Sequence, residues 1–89
     1  MKISFDSSKD RANNLKHGVS LALAEELEWE TALIWSDDRK DYGESRLSAL
    51  VLFEERLFFV AFVEREDEIP VISFRKANAR EVRKYVSEN

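Results

Sequence analysis

The sequence contains no cysteine and a single histidine, and these two shortages exclude several kinds of chemistry. Without cysteine the chain can form no disulfide bond and has no thiol nucleophile. Because His17 is the only imidazole, we expect neither a zinc or iron centre nor any other cofactor. A Ser-His-Asp triad would have to form around His17, and the sequence has no nucleophile-elbow motif.

Glycine and long apolar runs are also scarce. Gly18 and Gly43 are the only glycines, so no glycine-rich loop is available to cradle a nucleotide phosphate. The longest apolar-rich stretch, residues 49–63, is interrupted by charged residues at 54–56 and is too short for a membrane span. The first residues lack the apolar core of a signal peptide, and we therefore expect a cytoplasmic protein.

The residues that are present predict one domain, residues 1–89, because 44% of them are hydrophobic and can form a packed core. The net charge of −4 argues against nucleic acid as a partner of the whole surface. The charges are nevertheless segregated, since residues 25–38 contain acidic residues without any basic one, and residues 75–84 contain five basic residues and a single acidic one. This pattern indicates either ordinary solvated faces or a basic face for a polyanion with an acidic face elsewhere.

The hydrophobic periodicity predicts an α+β fold with N-terminal helices, an antiparallel sheet of three to four main strands and a C-terminal helix. Asp6 and Ser20 are predicted N-caps, Gly18 is a predicted helix stop, and Asn78 with Glu81 forms a predicted capping box. The predicted elements are a short strand at 2–5, helices at about 7–16 and 21–28, strands at 31–36, 45–53, 56–65 and 69–75, and a last helix after residue 78.

Apolar residues at helical spacing predict which helix faces turn inward. Ala12 and Leu15 are the expected inward residues of the first helix. The continuous apolar run at 57–63 is typical of a strand that is covered on both faces. In the last helix the expected inward stripe is Ala79, Val82 and Val86, with Tyr85 at its edge.

Arginines lie at the ends of the predicted strands. Arg46 opens the second main strand, Arg65 closes the third, and Arg75 ends the fourth. At one rim of the sheet their guanidinium groups would bind a phosphate through paired hydrogen bonds at any working pH. The alternative is that each arginine is paired with a nearby carboxylate, such as Glu44, Glu64 or Glu81.

The hairpin before the last helix fixes which residues share a face with Arg75. If residues 66–67 form a tight turn, Val60 lies opposite Ser73 and Phe58 lies opposite Arg75. Ser73 and Arg75 share a face in any register, because side chains alternate along a strand.

Five short segments, in order along the chain, carry a family resemblance. They are Phe5-Asp6 with Lys9, the Lys-His-Gly-Val of residues 16–19, Tyr42-Gly43-Glu44 with Arg46, Glu64-Arg65, and residues 72–77 followed by Glu81 and Tyr85. Together they resemble the BrnT-like toxins of bacterial type II toxin–antitoxin modules.

The resemblance implies a RelE-like fold and a metal-independent ribonuclease that inhibits translation. It also implies a BrnA-like, ribbon-helix-helix antitoxin that neutralises the toxin and represses the operon together with it. RNA is then a direct partner, DNA is contacted only through the antitoxin, no membrane is involved, and a homodimer or a toxin–antitoxin tetramer is expected. The alternative is a RelE-like module that binds protein or RNA without cleaving it.

Metal-free RNA cleavage needs a base for the 2′-hydroxyl, an acid for the leaving oxygen and positive charge on the phosphorane. We interpret Arg65 and Arg75 as holding the scissile phosphate, with Arg46 in support. His17 is a candidate for proton transfer because its ordinary pKa is near neutrality, although a structural role at a helix end is the alternative. Lys16, Glu64 and Tyr85 are the other candidates for proton transfer.

The remaining basic residues are expected to bind flanking phosphates, which contribute affinity rather than sequence specificity. The aromatic residues Trp29, Trp35 and Tyr42 are either core residues or, for Trp35 and Tyr42, contacts for an antitoxin helix or a base. The acidic stretch up to Asp38 would suit a basic antitoxin segment. The predicted RNA-binding residues are Lys16, Ser73, Lys76, Arg80, Arg83 and Lys84.

Overall fold

The computed structural model describes residues 2–38 and 43–88, so the interpretation of Tyr42 lies outside the described residues. Within these ranges no helix is both long and apolar enough to cross a membrane. In chain order the elements are β1 (Ile3–Ser4), α1 (Ser7–His17), a 3₁₀ helix (Leu21–Glu26), β2 (Glu28–Ser36), β3 (Arg46–Phe53), β4 (Arg56–Val63), β5 (Ile69–Lys76) and α2 (Ala79–Glu88).

The sheet has five strands in the order β1-β5-β4-β3-β2, rather than the predicted three to four. Strands β2 to β5 form an antiparallel meander, and β1 pairs in parallel with the start of β5 through Ile3 and Ser4. The short strand predicted at 2–5 is present as β1, and because it joins the four main strands the sheet has five. The α+β class is confirmed.

The predicted helix boundaries are set by side chains that satisfy free backbone groups. The Asp6 carboxylate accepts hydrogen bonds from the N–H groups of Ser8 and Lys9, and Gly18 ends α1 at a φ of 74°. Asn78 and Glu81 each accept a hydrogen bond from the other's backbone N–H, which completes the capping box of α2.

The core lies between one sheet face and the 3₁₀ helix, where Ser20 caps the turn and Leu21 and Ala24 are fully buried. The second predicted helix, at about 21–28, is wrong in type and length. The chain forms one 3₁₀ segment, and β2 begins at Glu28 rather than at residue 31. The sheet contributes Ala49, Val51, Val60 and Phe74, all with no exposed surface.

The predicted inward face of α1 is wrong. Leu15 is 85% exposed and Ala12 is also exposed, whereas Asn13 is buried. The physical reason is that α1 contacts β5 along a strand edge. There a polar side chain satisfies the backbone, so an apolar stripe is not what the contact requires.

The predicted inward stripe of α2 is also wrong. Val82 is 42% exposed, Val86 is 69% exposed and Ala79 is exposed as well, so α2 buries no residue fully. Instead, Glu81 and Tyr85 reach the sheet through hydrogen bonds to Arg75 and to the Thr31 carbonyl. The stripe is turned away because polar groups hold this helix on the sheet.

The β4–β5 register differs by one residue from the prediction. Phe59 lies opposite Arg75 and Ala61 lies opposite Ser73. The connection spans residues 64–68 instead of a two-residue turn, and a register shift follows Ala61. Ser73 and Arg75 still project from one sheet face, which they share with Phe59 and Ala61.

The β3–β4 turn at Glu54 and Glu55 has positive φ values of 49° and 66°. Two successive positive φ angles are the mark of a type I′ hairpin turn, which normally uses asparagine and glycine. The Glu54 N–H donates to the Glu28 carboxylate at 3.1 Å. This contact connects the turn to the start of β2.

Candidate functional site

Arg46 and Arg65 meet at one end of the sheet. Arg46 begins β3 opposite Val63, the last residue of β4, and Arg65 follows two residues later. The Glu44 carboxylate lies between them, with Oε1 3.6 Å from Arg46 Nε and Oε2 3.9 Å from Arg65 Nη2. These are long contacts of partly exposed groups, so we expect them to contribute little stability and to yield to a stronger anion.

Both arginines line a cleft of about 360 Å³ against the start of α1. Lys9 adds a third positive charge to this cleft, and Asp6 adds a negative one. The cleft is therefore basic overall, although Asp6 and Glu44 offset part of its charge. Its remaining lining includes Phe5, Val63, Pro70, Val71 and Ile72.

A second groove of about 280 Å³ adjoins this cleft and lies between α1 and β5. Lys9 and Ile72 line both spaces, which makes the two contiguous. Lys16 and His17 enter the groove from the last turn of α1, and Ser73 enters it from β5. The predicted residues His17, Lys16 and Ser73 are therefore brought together.

Asn13 places α1 against β5. Its side-chain amide donates to the Phe74 carbonyl at 2.8 Å and accepts from the Phe74 N–H at 3.2 Å, as a neighbouring strand would. The amide also donates to the Val19 carbonyl at 3.0 Å. Our sequence reasoning missed Asn13, although an asparagine inside a helix is a signal, because asparagine disfavours helix interiors unless its side chain has a partner.

His17 is half-buried, and burial lowers its pKa below the ordinary 6.5, helped by the positive charges of Lys16 and Arg75. The imidazole is therefore largely neutral at pH 7. Gly18, not His17, makes the terminal hydrogen bond of α1, to the Asn14 carbonyl. Within the described part of the chain the His17 ring has no hydrogen-bond or ion-pair partner, so a structural capping role is not observed.

Arg75 is held by Glu81 through two hydrogen bonds, 2.8 Å from Nη1 and 2.9 Å from Nη2. Its guanidinium carbon also lies 4.3 Å from the centroid of the Phe59 ring. Burial raises the pKa of Glu81, but hydrogen bonds from Arg75 and from the Asn78 N–H outweigh that effect and leave the pKa below 4.5. Arg75 is thus firmly oriented and partly neutralised.

The predicted convergence of all three arginines at one rim is wrong for Arg75. Arg46 pairs with Val63 and Arg75 pairs with Phe59, four residues apart on β4. Four residues of a strand span about 13 Å, and Arg75 is held by Glu81 and does not line the cleft that Arg46 and Arg65 share. The reason is strand direction, because β3 and β5 run the same way and Arg46 begins one while Arg75 lies near the end of the other.

The other predicted RNA-binding residues lie outside the groove. Lys76 is exposed at the end of β5, opposite Phe58. Arg80 and Arg83 are exposed on α2. The Lys84 ammonium lies 4.8 Å from the centre of the Trp35 ring, so this lysine packs on the sheet.

The proton-transfer candidates other than His17 differ in whether they line the groove between α1 and β5. Tyr85 donates its hydroxyl to the Thr31 carbonyl at 2.8 Å, which anchors α2. Glu64 is exposed beyond the end of β4 and does not line the groove. Lys16 shares the groove with His17.

The two tryptophans occupy different environments. Trp29 donates its indole N–H to the Ala24 carbonyl and contacts Phe62 edge to face, so it is a core residue. Trp35 is half-buried beneath Lys84, on the sheet face that carries Arg75.

A comparison with protein families gives a match over most of the chain, and a comparison with curated proteins gives none. The model of the family described as the ribonuclease toxin BrnT of type II toxin–antitoxin systems matches residues 5–81. The match covers most of the chain, including α1, all of β2 to β5 and every residue of the two basic spaces except Ser4. This chain belongs to the BrnT family of ribonuclease toxins of type II toxin–antitoxin systems.

Proposed function

We propose that the chain is a metal-independent endoribonuclease that inhibits translation and cuts RNA in the groove between α1 and β5. The observation that carries this proposal is the meeting of a neutral His17 with Lys16 and Ser73, next to the charge of Arg75. A base with a pKa below neutrality, beside fixed positive charge, suits attack by the 2′-hydroxyl on the adjacent phosphate. His17 and Lys16 can carry the two proton transfers of this step, so we write the step without a metal.

The proposed reaction involves two proton transfers, one from the 2′-hydroxyl to the protein and one from the protein to the leaving oxygen. His17 accepts the 2′-hydroxyl proton as the 2′-oxygen bonds to phosphorus, and the bond from phosphorus to the 5′-oxygen breaks. Lys16 donates a proton to that leaving oxygen, while Arg75 and the Ser73 hydroxyl stabilise the charge on the phosphorane. The products are a 2′,3′-cyclic phosphate and a 5′-hydroxyl end.

Arg46 and Arg65 act on a different phosphate from Arg75. With about 13 Å between the two positions along the strands, the cleft holds another phosphate of the same RNA strand, farther along than the adjacent one. Lys9 lines both spaces and connects them with positive charge. Arg80, Arg83 and Lys76 add weaker phosphate contacts from the surface, which orient the strand without reading its sequence.

The partner side of the proposal follows from family membership. A type II toxin has an antitoxin, and we propose that here it is a BrnA-like, ribbon-helix-helix protein. That protein would neutralise the toxin and carry all contact with DNA. The RelE-like fold, cytoplasmic location and a homodimer or toxin–antitoxin tetramer belong to the same proposal.

The second candidate is a domain that binds RNA or protein without cleaving it. One observation favours it, because Arg75 is already paired with Glu81 and both Arg46 and Arg65 contact Glu44. Paired arginines stabilise a phosphorane less than unpaired ones. This candidate predicts binding of RNA with no cleavage products.

Incubation of purified chain with a defined single-stranded RNA, with and without EDTA, separates the candidates. We expect cleavage that persists in EDTA and leaves 2′,3′-cyclic phosphate ends. Arg75→Gln should reduce the rate by roughly 10²–10³-fold, the effect of removing one group that stabilises an oxyanion. Arg65→Gln should weaken RNA binding more than it slows cleavage of bound RNA.

Arg56→Gln is the matched control, since Arg56 is exposed at the opposite end of the β3–β4 hairpin from Arg46. It removes the same charge without touching the groove, and its rate should equal that of the unsubstituted chain. RNA binding without cleavage would support the second candidate. Cleavage that EDTA abolishes would contradict the metal-independent mechanism.

A further inference from the structure

The outer edge of β2 is an unpaired strand edge in the described part of the chain. β2 is the last strand of the sheet and pairs on one side only, with β3. At its far end the Asp37 N–H donates to the Arg46 carbonyl at 2.9 Å, so the backbone of residue 37 points towards β3. Backbone groups alternate sides along an antiparallel strand, and those of Ile34 and Ser36 therefore point outwards.

Side chains along this edge combine one apolar group with acidic ones. Ile34 is 48% exposed although its neighbours across the sheet are buried. Glu30 and Asp38 are exposed, and the Glu28 carboxylate bonds to the Glu54 N–H at the hairpin turn. Among the described residues, a cation contacts β2 at Lys84, which lies over Trp35 on the face opposite to Ile34.

We infer that this edge binds a basic, extended protein segment, which adds to the sheet as a further strand beside β2. Main-chain hydrogen bonds from Ile34 and Ser36 would supply part of the affinity, and an apolar side chain against Ile34 would supply more. Lysine or arginine at alternate positions would complement Glu30 and Asp38. The antitoxin implied by family membership is the protein expected to carry such a segment.

The same charges disfavour the other occupants. RNA would be repelled by the carboxylates, so this edge is not an extension of the groove beside α1. A second copy pairing edge to edge would bring two acidic edges together, which is unfavourable at neutral pH. A basic protein segment is the occupant that both the backbone and the charges fit.

The test uses the complete chain and a synthetic peptide of alternating lysine and valine, with fluorescence anisotropy as the readout. We expect saturable binding, and at least tenfold weaker binding by Glu30→Lys. Ile34→Pro should also bind at least tenfold more weakly, because it removes an outward N–H at an edge position where proline is tolerated. An alternating glutamate and valine peptide should not bind.

A peptide with N-methyl groups on alternate residues leaves the protein unchanged and removes the strand-forming N–H groups. We expect that this N-methylated peptide does not bind. Unchanged binding would overturn the inference, because it would show that charge attraction and not strand pairing holds the peptide. Amide exchange should slow at Ile34 and Ser36 when the unmodified peptide binds, and exchange unchanged at both would also overturn it. A dimer that dissociates on Ile34→Pro would assign the edge to a second copy instead.

RNA cleavage by the same preparations keeps this inference separate from the proposed ribonuclease. Glu30→Lys and Ile34→Pro should cleave RNA as fast as the unsubstituted chain, because neither residue lines the groove. A chain that binds the peptide but cuts no RNA would refute only the ribonuclease. A chain that cuts RNA but binds no peptide would refute only the docking edge.

Discussion

The two edges of the sheet differ in whether their backbone groups have hydrogen-bond partners. On the β5 side, β1 pairs with the first residues of the strand and Asn13 satisfies Phe74 farther along. On the β2 side, no described element pairs with the outer edge. An unpaired edge is a liability unless it is managed or used. The β5 edge of the sheet, which we call the sealed side, carries a basic groove. The β2 edge, which we call the open side, carries outward backbone groups among carboxylates.

Charge follows the same division. Lys9, Lys16 and His17 all come from α1, the element that covers the β5 side. Glu28 and Glu30 come from the open strand itself. A polyanion and a basic segment can therefore bind the same small domain at separate places without competing for the same charges.

His17→Gln tests the chemistry on the sealed side. Removing a general base should slow RNA cleavage by roughly 10²–10⁴-fold while RNA binding changes little. In the unsubstituted chain the rate should rise with pH with a midpoint below 6.5, because burial and neighbouring positive charges lower the pKa of His17. Single-turnover rates between pH 4.5 and 8 measure both effects. A pH profile that is the same in both proteins would contradict the role of His17.

Asn13→Ala tests the contact between the Asn13 side chain and the backbone of Phe74 at the β5 edge. It leaves the buried N–H and C=O of Phe74 without their partner, and we expect a loss of about 3 kcal/mol in the free energy of unfolding. Urea denaturation followed by circular dichroism measures it. The matched control is Asn14→Ala, whose exposed side chain should change stability by less than about 0.5 kcal/mol. Equal effects of the two substitutions would show that the edge contact is unimportant.

Glu81→Gln tests the pairing of Arg75 on the sheet with Glu81 on α2. Glutamine can still cap α2, so the change removes charge and should cost about 1 kcal/mol at pH 7. The lowered pKa of Glu81 means that the pair stabilises the fold above pH 4.5 and that this stability is lost as pH falls through the lowered value. Unfolding at pH 7 and at pH 2.5 should show a difference that shrinks in acid. A difference that grows in acid would contradict the pairing.

Glu55→Gly tests the turn beside the open edge. The residue has a φ of 66°, which glycine adopts at no steric cost, so we expect a gain of roughly 0.5–1 kcal/mol in stability. Thermal unfolding measures the gain. Glu68→Gly, in the β4–β5 connection, is a control for loss of charge, and it should not stabilise the chain. A loss of stability in Glu55→Gly would mean that the turn is not strained.

The parts of the fold that the sequence predicts are those determined by local interactions. Asp6, Gly18 and the Asn78–Glu81 pair act on backbone groups within a few residues, and all three predictions are confirmed. The faces of the helices were not predictable in the same way. Asn13 is buried because of a strand edge 61 residues away, and no local pattern records that partner.

The candidate site is divided in the same manner. Lys16 and His17 are neighbours in the chain, so their joint presence in a groove needed only a helix that ends there. Arg75 was placed with Arg46 because both lie at strand ends, without regard to strand direction. The meander puts the start of β3 and the end of β5 at opposite ends of the sheet. The Arg75–Glu81 pair is the carboxylate pairing that the sequence gives as the alternative for this arginine, and it is observed, although the apolar stripe of α2 predicts the wrong face of that helix.

The most direct test of the central claim is to map where RNA binds on the folded chain. A short RNA with 2′-O-methyl groups cannot be cut and can be titrated into isotope-labelled protein while amide NMR signals are followed. We expect that the signals of Lys16, His17 and Ser73 shift with a common affinity, while those of Ile34 and Ser36 stay in place. Shifts that cluster on β2 and leave the α1–β5 groove unchanged would contradict the central claim.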